Sequence, residues 1–141
     1  MTSQLAAHWL LGLLVGSMLF FAIVVAPTVF RSLPGEQAGS FLRALFPRYY
    51  LWGGILACLG VPIAIFGSST VMGIACALVA LLFVYARQVL IPAINRARDA
   101  QLAGDGDAAS RFRRLHLQSV LINLFQLLLL IGVGVYLALR P

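Results

Sequence analysis

The 141-residue sequence has no lysine, two cysteines, two histidines and four acidic residues, and charged side chains make up only 10% of it. Each scarcity removes a class of function. All four acids (Glu36, Asp99, Asp105 and Asp107) lie outside the long apolar runs, so no paired carboxylates and no Ser-His-acid set can form, and no phosphate-cradling glycine loop occurs. The "GDGD" run at residues 104–107 lacks the ligand spacing and closing glutamate of a calcium loop. Cys58 and Cys76 fall in two apolar runs that fold back on one another at different depths, which argues against a disulfide between them. The sequence therefore reads as non-enzymatic, with no catalytic residue set and no metal-ligand cluster.

What is present is hydrocarbon. Hydrophobic residues make up 62% of the chain, against about half in an ordinary soluble domain. Four stretches, at about residues 5–26, 49–66, 71–91 and 115–139, each approach the ~20 residues a helix needs to cross a bilayer. They use most of residues 1–141 and leave one four-span membrane domain. The first stretch has no basic n-region and no small-x-small cleavage site before Pro27, so it reads as a retained helix.

Arginine placement orients the spans. Arg31, Arg43 and Arg48 follow the first stretch, and Arg96, Arg98, Arg111, Arg113 and Arg114 lie between the third and fourth, whereas the turn near residues 67–70 has none. By the positive-inside rule both basic segments are cytoplasmic and both termini face outward, with Arg140 the one outer exception. The net charge of +6 then serves anionic lipid headgroups, and not nucleic acid, because the arginines flank membrane spans.

Residues 35–46 place Phe41, Leu42, Leu45 and Phe46 opposite Glu36, Gln37, Ser40 and Arg43, the pattern of a short interfacial helix ended by Pro47. Helix-forming residues run past Pro92 to Ala103, so the third and fourth helices should project from the membrane as one hairpin. The expected fold is an all-α, up-down four-helix bundle.

Two stripes set its packing. Gly53, Ala57, Gly60, Ala64 and Gly67 follow one face of the second span, and Gly73, Ala77 and Ala80 answer on the third, so these helices should approach closely. Folding them about the turn sets Gly60 near Ala80 and Arg87 opposite Gly53, where the guanidinium either snorkels to phosphate or meets a ligand. The second stripe is polar: Tyr85, Gln88, Pro92 and Asn95 on the third helix have the same three-four-three spacing as His116, Ser119, Asn123 and Gln126 on the fourth. An antiparallel pairing sets Asn95 against His116, Pro92 against Ser119, Gln88 against Asn123, and Tyr85 against Gln126. Ser119 would then reach the Gln88 carbonyl that Pro92 leaves without a donor. The seam is either polar glue or the lining of a cavity open to the cytoplasm.

His8 tops a face with Gly12 and Gly16, and is either a packing residue or a haem ligand, as His116 could be. Met72 and Cys76 stand one turn apart at the same outer level, an arrangement a soft metal could use.

The segments "APTVFRSLP" (26–34), "AG" (38–39), "LFPRYY" (45–50), "PAINRARD" (92–99) and "RFRRLHLQSVLIN" (111–123) together resemble the bacterial domain-of-unknown-function family related to eukaryotic transmembrane protein 205, and more distantly the copper-resistance D-like membrane proteins. The resemblance implies a four-span protein of a bacterial inner membrane without an assigned reaction, with export or metal handling in the background and haem in some distant relatives. It falls on Pro27, Phe30, Arg31, Phe46, Pro47, Asn95, Arg98, Asp99, His116, Ser119 and Asn123. Three readings follow. The first is handling or export of a small molecule or metal complex through the seam, with Arg31, Arg87 or Arg98 contacting an anionic ligand. The second is an accessory subunit of a larger complex or a homo-oligomer; the third, a haem-binding redox protein.

Overall fold

The computed structural model describes residues 2–67 and 69–139; Arg140 lies outside them. In lipid a backbone must satisfy its own hydrogen bonds, and the described residues do so as helices joined by short turns, with no strand among them. They are α1 (Thr2–Phe20), α2 (Ala26–Ser32), α3 (Gly35–Phe66), α4 (Thr70–Tyr85), α5 (Ile91–Leu102) and α6 (Ala108–Leu139). Four continuous rods, Gln4–Ser32, Gly35–Phe66, Thr70–Leu102 and Ala108–Leu139, are long and apolar enough to cross a membrane. The all-α four-helix architecture expected from the sequence is what forms.

The amphipathic segment differs from expectation. It is not a separate short helix but the first third of α3, which passes through Pro47 without ending. Pro47 removes one amide, yet the flanking turns hold because the segment is packed on both sides of it. Ala38 and Leu42 are buried with Val29 of α2, and beyond the proline Tyr50, Gly53, Leu56 and Ala57 are buried in the bundle. Arg43 of this segment pairs through both guanidinium nitrogens with Asp99 of α5, so the two arginine-rich connections are tied together at one end of the molecule, the basic end.

The first and third rods carry the same irregularity at the same place. Phe21–Val25 and Ala86–Leu90 are each a single π turn, closed by bonds from the Ala26 amide to the Phe21 carbonyl and from the Ile91 amide to the Ala86 carbonyl. Each lies directly before an X-Pro step, Ala26-Pro27 or Ile91-Pro92. A proline ring clashes with the carbonyl four residues back, and a wider turn with one extra residue relieves that clash.

The rods pack in a ring in chain order. α1 touches α3, α3 touches α4, α4 and α5 touch α6, and α6 returns to α1, leaving α3 and α6 diagonal. The α3–α4 contact is the tightest, as the small residues predict, but its register sits about one turn from the expected one. Gly60 receives Cys76, Gly53 receives the Phe83 ring, and Gly73 faces Ala64. Cys76 thus stands nearest Gly60 where Ala80 is expected, and Phe83 stands nearest Gly53 where Arg87 is expected. The cause is the tight turn: the Ser69 amide bonds back to the Ala64 carbonyl, so α4 starts at once.

Candidate functional site

Near the basic end the bundle core is aromatic and polar, not aliphatic. Tyr50 is almost fully buried and crosses the diagonal from α3 to α6. Its hydroxyl lies 2.9 Å from Ser119 Oγ and accepts a 3.1 Å bond from Asn123 Nδ2. Asn123 Nδ2 also donates to the Ser119 carbonyl at 2.9 Å, and its Oδ1 accepts a long 3.5 Å bond from Tyr49. Around this node stand Phe21, stacked on Tyr49 at 4.4 Å between centroids, Phe46 at 5.8 Å from Tyr50, and Phe83, edge-on to Tyr49 at 6.3 Å. The Phe21 π turn thus lies against the cluster. Every polar atom of the node is used internally, as buried polar groups in a low-dielectric medium require.

The predicted seam separates into pieces. Ser119, Asn123 and Gln126 do face inward, but Ser119 and Asn123 meet the tyrosines of α3, not Pro92 and Gln88. Gln126, fully buried, donates its amide to the Val79 carbonyl at 3.1 Å, and its Oε1 has no partner; it does not meet Tyr85. Tyr85 is partly exposed and accepts instead from Gln118 at 3.1 Å. Gln88 and His116 are exposed and Asn95 is half-buried. The Tyr85–Gln126 pair fails within regular helix, where the bonds from Gln118 to Tyr85 and from Gln126 to Val79 set α4 and α6 six to eight residues away from the expected register. The pairs of Gln88 and Asn95 fail also because the spacing assumed 3.6 residues per turn through Pro92. The π turn at Ala86–Leu90 inserts one residue, which rotates Asn95 by about 100° relative to Tyr85. Ser119, Asn123 and Gln126 bond across helices, to α3 and to α4.

The candidate anion contacts also find individual places. Arg87 is half-buried and donates Nε to the Pro47 carbonyl at 3.2 Å, bracing the proline of α3. Arg98 lies over the Phe112 ring at 5.5 Å, and His116 stacks on the same ring, 5.9 Å between centroids and 8° from parallel. Arg31 is exposed at the end of α2.

At the far end, His8 is exposed and bonded to the Gln4 carbonyl. The face below it stands open, since nothing lies within 4 Å of a Cβ added at Gly12 or Gly16. The buried face of α1 is Ala7, Leu11, Leu14 and Met18 instead. Met72 and Cys76 are both buried, with the Cys76 sulfur filling the notch at Gly60. Among the described residues no three His, Cys, Asp or Glu side chains converge.

An open concavity lies away from the polar seam. A groove of about 550 Å³ runs between α4 and α6 on the outside of the bundle, floored by Leu78, Leu82, Leu121 and Phe125, with Arg114 and Gln118 at its basic end. Sequence reasoning missed both this groove and Tyr50. Tyr50 carried a usable signal, because it stands three residues before Gly53 on the inward small-residue stripe. The groove carried none, since a lipid-facing leucine looks the same whether or not its neighbours leave a gap.

Residues 9–103, about two-thirds of the chain, match the family described as a domain of unknown function, DUF4149. The chain belongs to that family. No curated protein and no solved structure matches it.

Proposed function

We propose that this DUF4149 protein binds and hands on an amphipathic small molecule at the basic end of its bundle, through the groove between α4 and α6, with no reaction performed on it. The groove carries the reading: it is apolar along its length, polar at one end, and open sideways to the bilayer. A ligand reaching it would come from the membrane, not through the helix seam. The positive-inside rule supports placing the basic end in the cytoplasm of a bacterial cell and both termini outside, which sets the groove in the inner leaflet. The resemblance to transmembrane protein 205-like proteins agrees with such handling, and export is its natural extension.

Thermal unfolding of the purified protein in a neutral detergent, with and without a fatty acid, a long-chain alcohol and a long-chain quaternary ammonium ion, tests the reading. A ligand at a hundredfold excess over its Kd should stabilise by about 2.7 kcal/mol. No shift with any of the three would reject it.

A second reading has its own observation. The open Gly12–Gly16 face of α1 has the geometry by which membrane helices associate closely, and it supports a place beside a second copy or a larger partner. Co-purification of a stoichiometric partner, or a homo-oligomer that Gly16→Leu dissociates, would favour it. Haem is the reading with least support, because neither His8 nor His116 lines the groove; an absorbance spectrum without a Soret band disposes of it.

A further inference from the structure

We propose that the ligand of the groove is an anionic phospholipid, one acyl chain lying along α4 and α6 and the phosphate held by Arg114; this rests on the groove being an amphiphile site. Length is the first argument. Arg114 and Phe125 mark its two ends, eleven residues apart on one helix, or about 16 Å. That is half of a hydrocarbon core of about 30 Å, so the groove is one leaflet deep and begins where headgroups begin. A water-borne ligand has no use for such a shape; an acyl chain anchored by its headgroup fills it.

Charge is the second. The basic end neutralises some of its own arginines, Arg43 against Asp99 and Arg111 against Asp105. Arg114 has no hydrogen bond or ion pair among the described residues, and no carboxylate lines the groove. Its guanidinium presents forked donors that match a phosphate. Beside it, Gln118 donates to the Tyr85 hydroxyl, which leaves the phenolic proton of Tyr85 free to donate in turn. The end of the groove therefore carries the positive charge of Arg114 and the neutral amide of Gln118, with Tyr85 behind it as a further donor and no anion beside them. That selects a headgroup with net negative charge over one whose phosphate is already balanced by an ammonium.

The test is lipid binding by the full-length protein in neutral detergent, read by native mass spectrometry, with dioleoyl phosphatidylglycerol and dioleoyl phosphatidylcholine as probes. Phosphatidylglycerol should bind about tenfold more tightly than phosphatidylcholine, and Arg114→Gln should erase that difference. Leu121→Trp, a change at an exposed position that the fold tolerates, should block both lipids, and Leu78→Trp should do the same from the opposite wall. Equal binding of the two lipids, or preference surviving in Arg114→Gln, overturns the headgroup assignment; if the tryptophan variants still block binding, the groove itself stands. Binding unaffected by either tryptophan overturns the groove and the assignment together.

Discussion

A methyl group on Gly60 would sit 2.5 Å from the Cys76 sulfur and 3.1 Å from a Leu10 methyl, closer than atoms in a packed interior tolerate. Overpacking of this kind costs about 1–3 kcal/mol. Gly60→Ala should therefore lower the melting temperature, and Cys76→Gly in the same chain should return most of the loss, because the sulfur is the nearest obstacle. Gly12→Ala supplies the contrast: the added methyl meets nothing, and the helix gains up to about 1 kcal/mol of intrinsic propensity. The tyrosine node makes a prediction of a different kind. Tyr50→Phe keeps the ring packing but strips the partner shared by Ser119 and Asn123. Leaving buried polar groups unsatisfied costs about 1–3 kcal/mol, whereas Tyr49→Phe, which removes only a 3.5 Å bond, should cost visibly less in the same denaturation series.

Among elements, the paired π turns decide which sequence patterns can be trusted. Stripes confined to a regular helix were legible: the small residues of α3 and α4 identified the closest pair of helices, and the apolar runs located all four rods. Patterns that crossed Pro92 were not, because a rule of 3.6 residues per turn mis-assigns every face beyond an inserted residue. Ser119, Asn123 and Gln126 lie on an unbroken helix and face inward, as their spacing predicts, while Gln88 and Asn95 lie in or beyond the wide turn and do not meet them, and Tyr85 is displaced by the register of α4 on α6. This accounts for a candidate site half legible in α6 and illegible in α4–α5. It also yields a test. Deleting Val89, an exposed residue inside the wide turn, should close that turn to an ordinary α-helical one while the flanking helices keep their faces. Deleting Leu81, exposed but inside regular α4, rotates everything after it by about 100°. The first variant should still accumulate but melt below the parent, destabilised by up to about 3 kcal/mol, because Pro92 then clashes in a regular helix, and the second should fail to accumulate; a Val89 deletion that melts with the parent would show that the extra residue does not buffer the proline.

For the whole molecule, the asymmetry that matters is between its two ends. One end gathers the connections between the rods that carry Arg43, Arg96, Arg98, Arg111, Arg113 and Arg114, with only Glu36, Asp99, Asp105 and Asp107 to offset them. The other has a turn of a few uncharged residues at 67–69. From this asymmetry the positive-inside rule predicts one orientation, with the arginine-rich end in the cytoplasm. Cysteine labelling in intact bacterial cells measures it cleanly, because the native thiols lie within the spans, Cys76 buried and Cys58 on an outward face of α3. Thr70→Cys, exposed at the short turn, should react with a membrane-impermeant maleimide added outside. Asp105→Cys, exposed between α5 and α6, should react only after permeabilisation. The result bears directly on the ligand. If labelling gives this orientation, Arg114 stands at the cytoplasmic surface and the proposed lipid site opens to the inner leaflet. The opposite labelling pattern would move the same groove to the outer leaflet, and the protein could then only receive lipid that had already crossed.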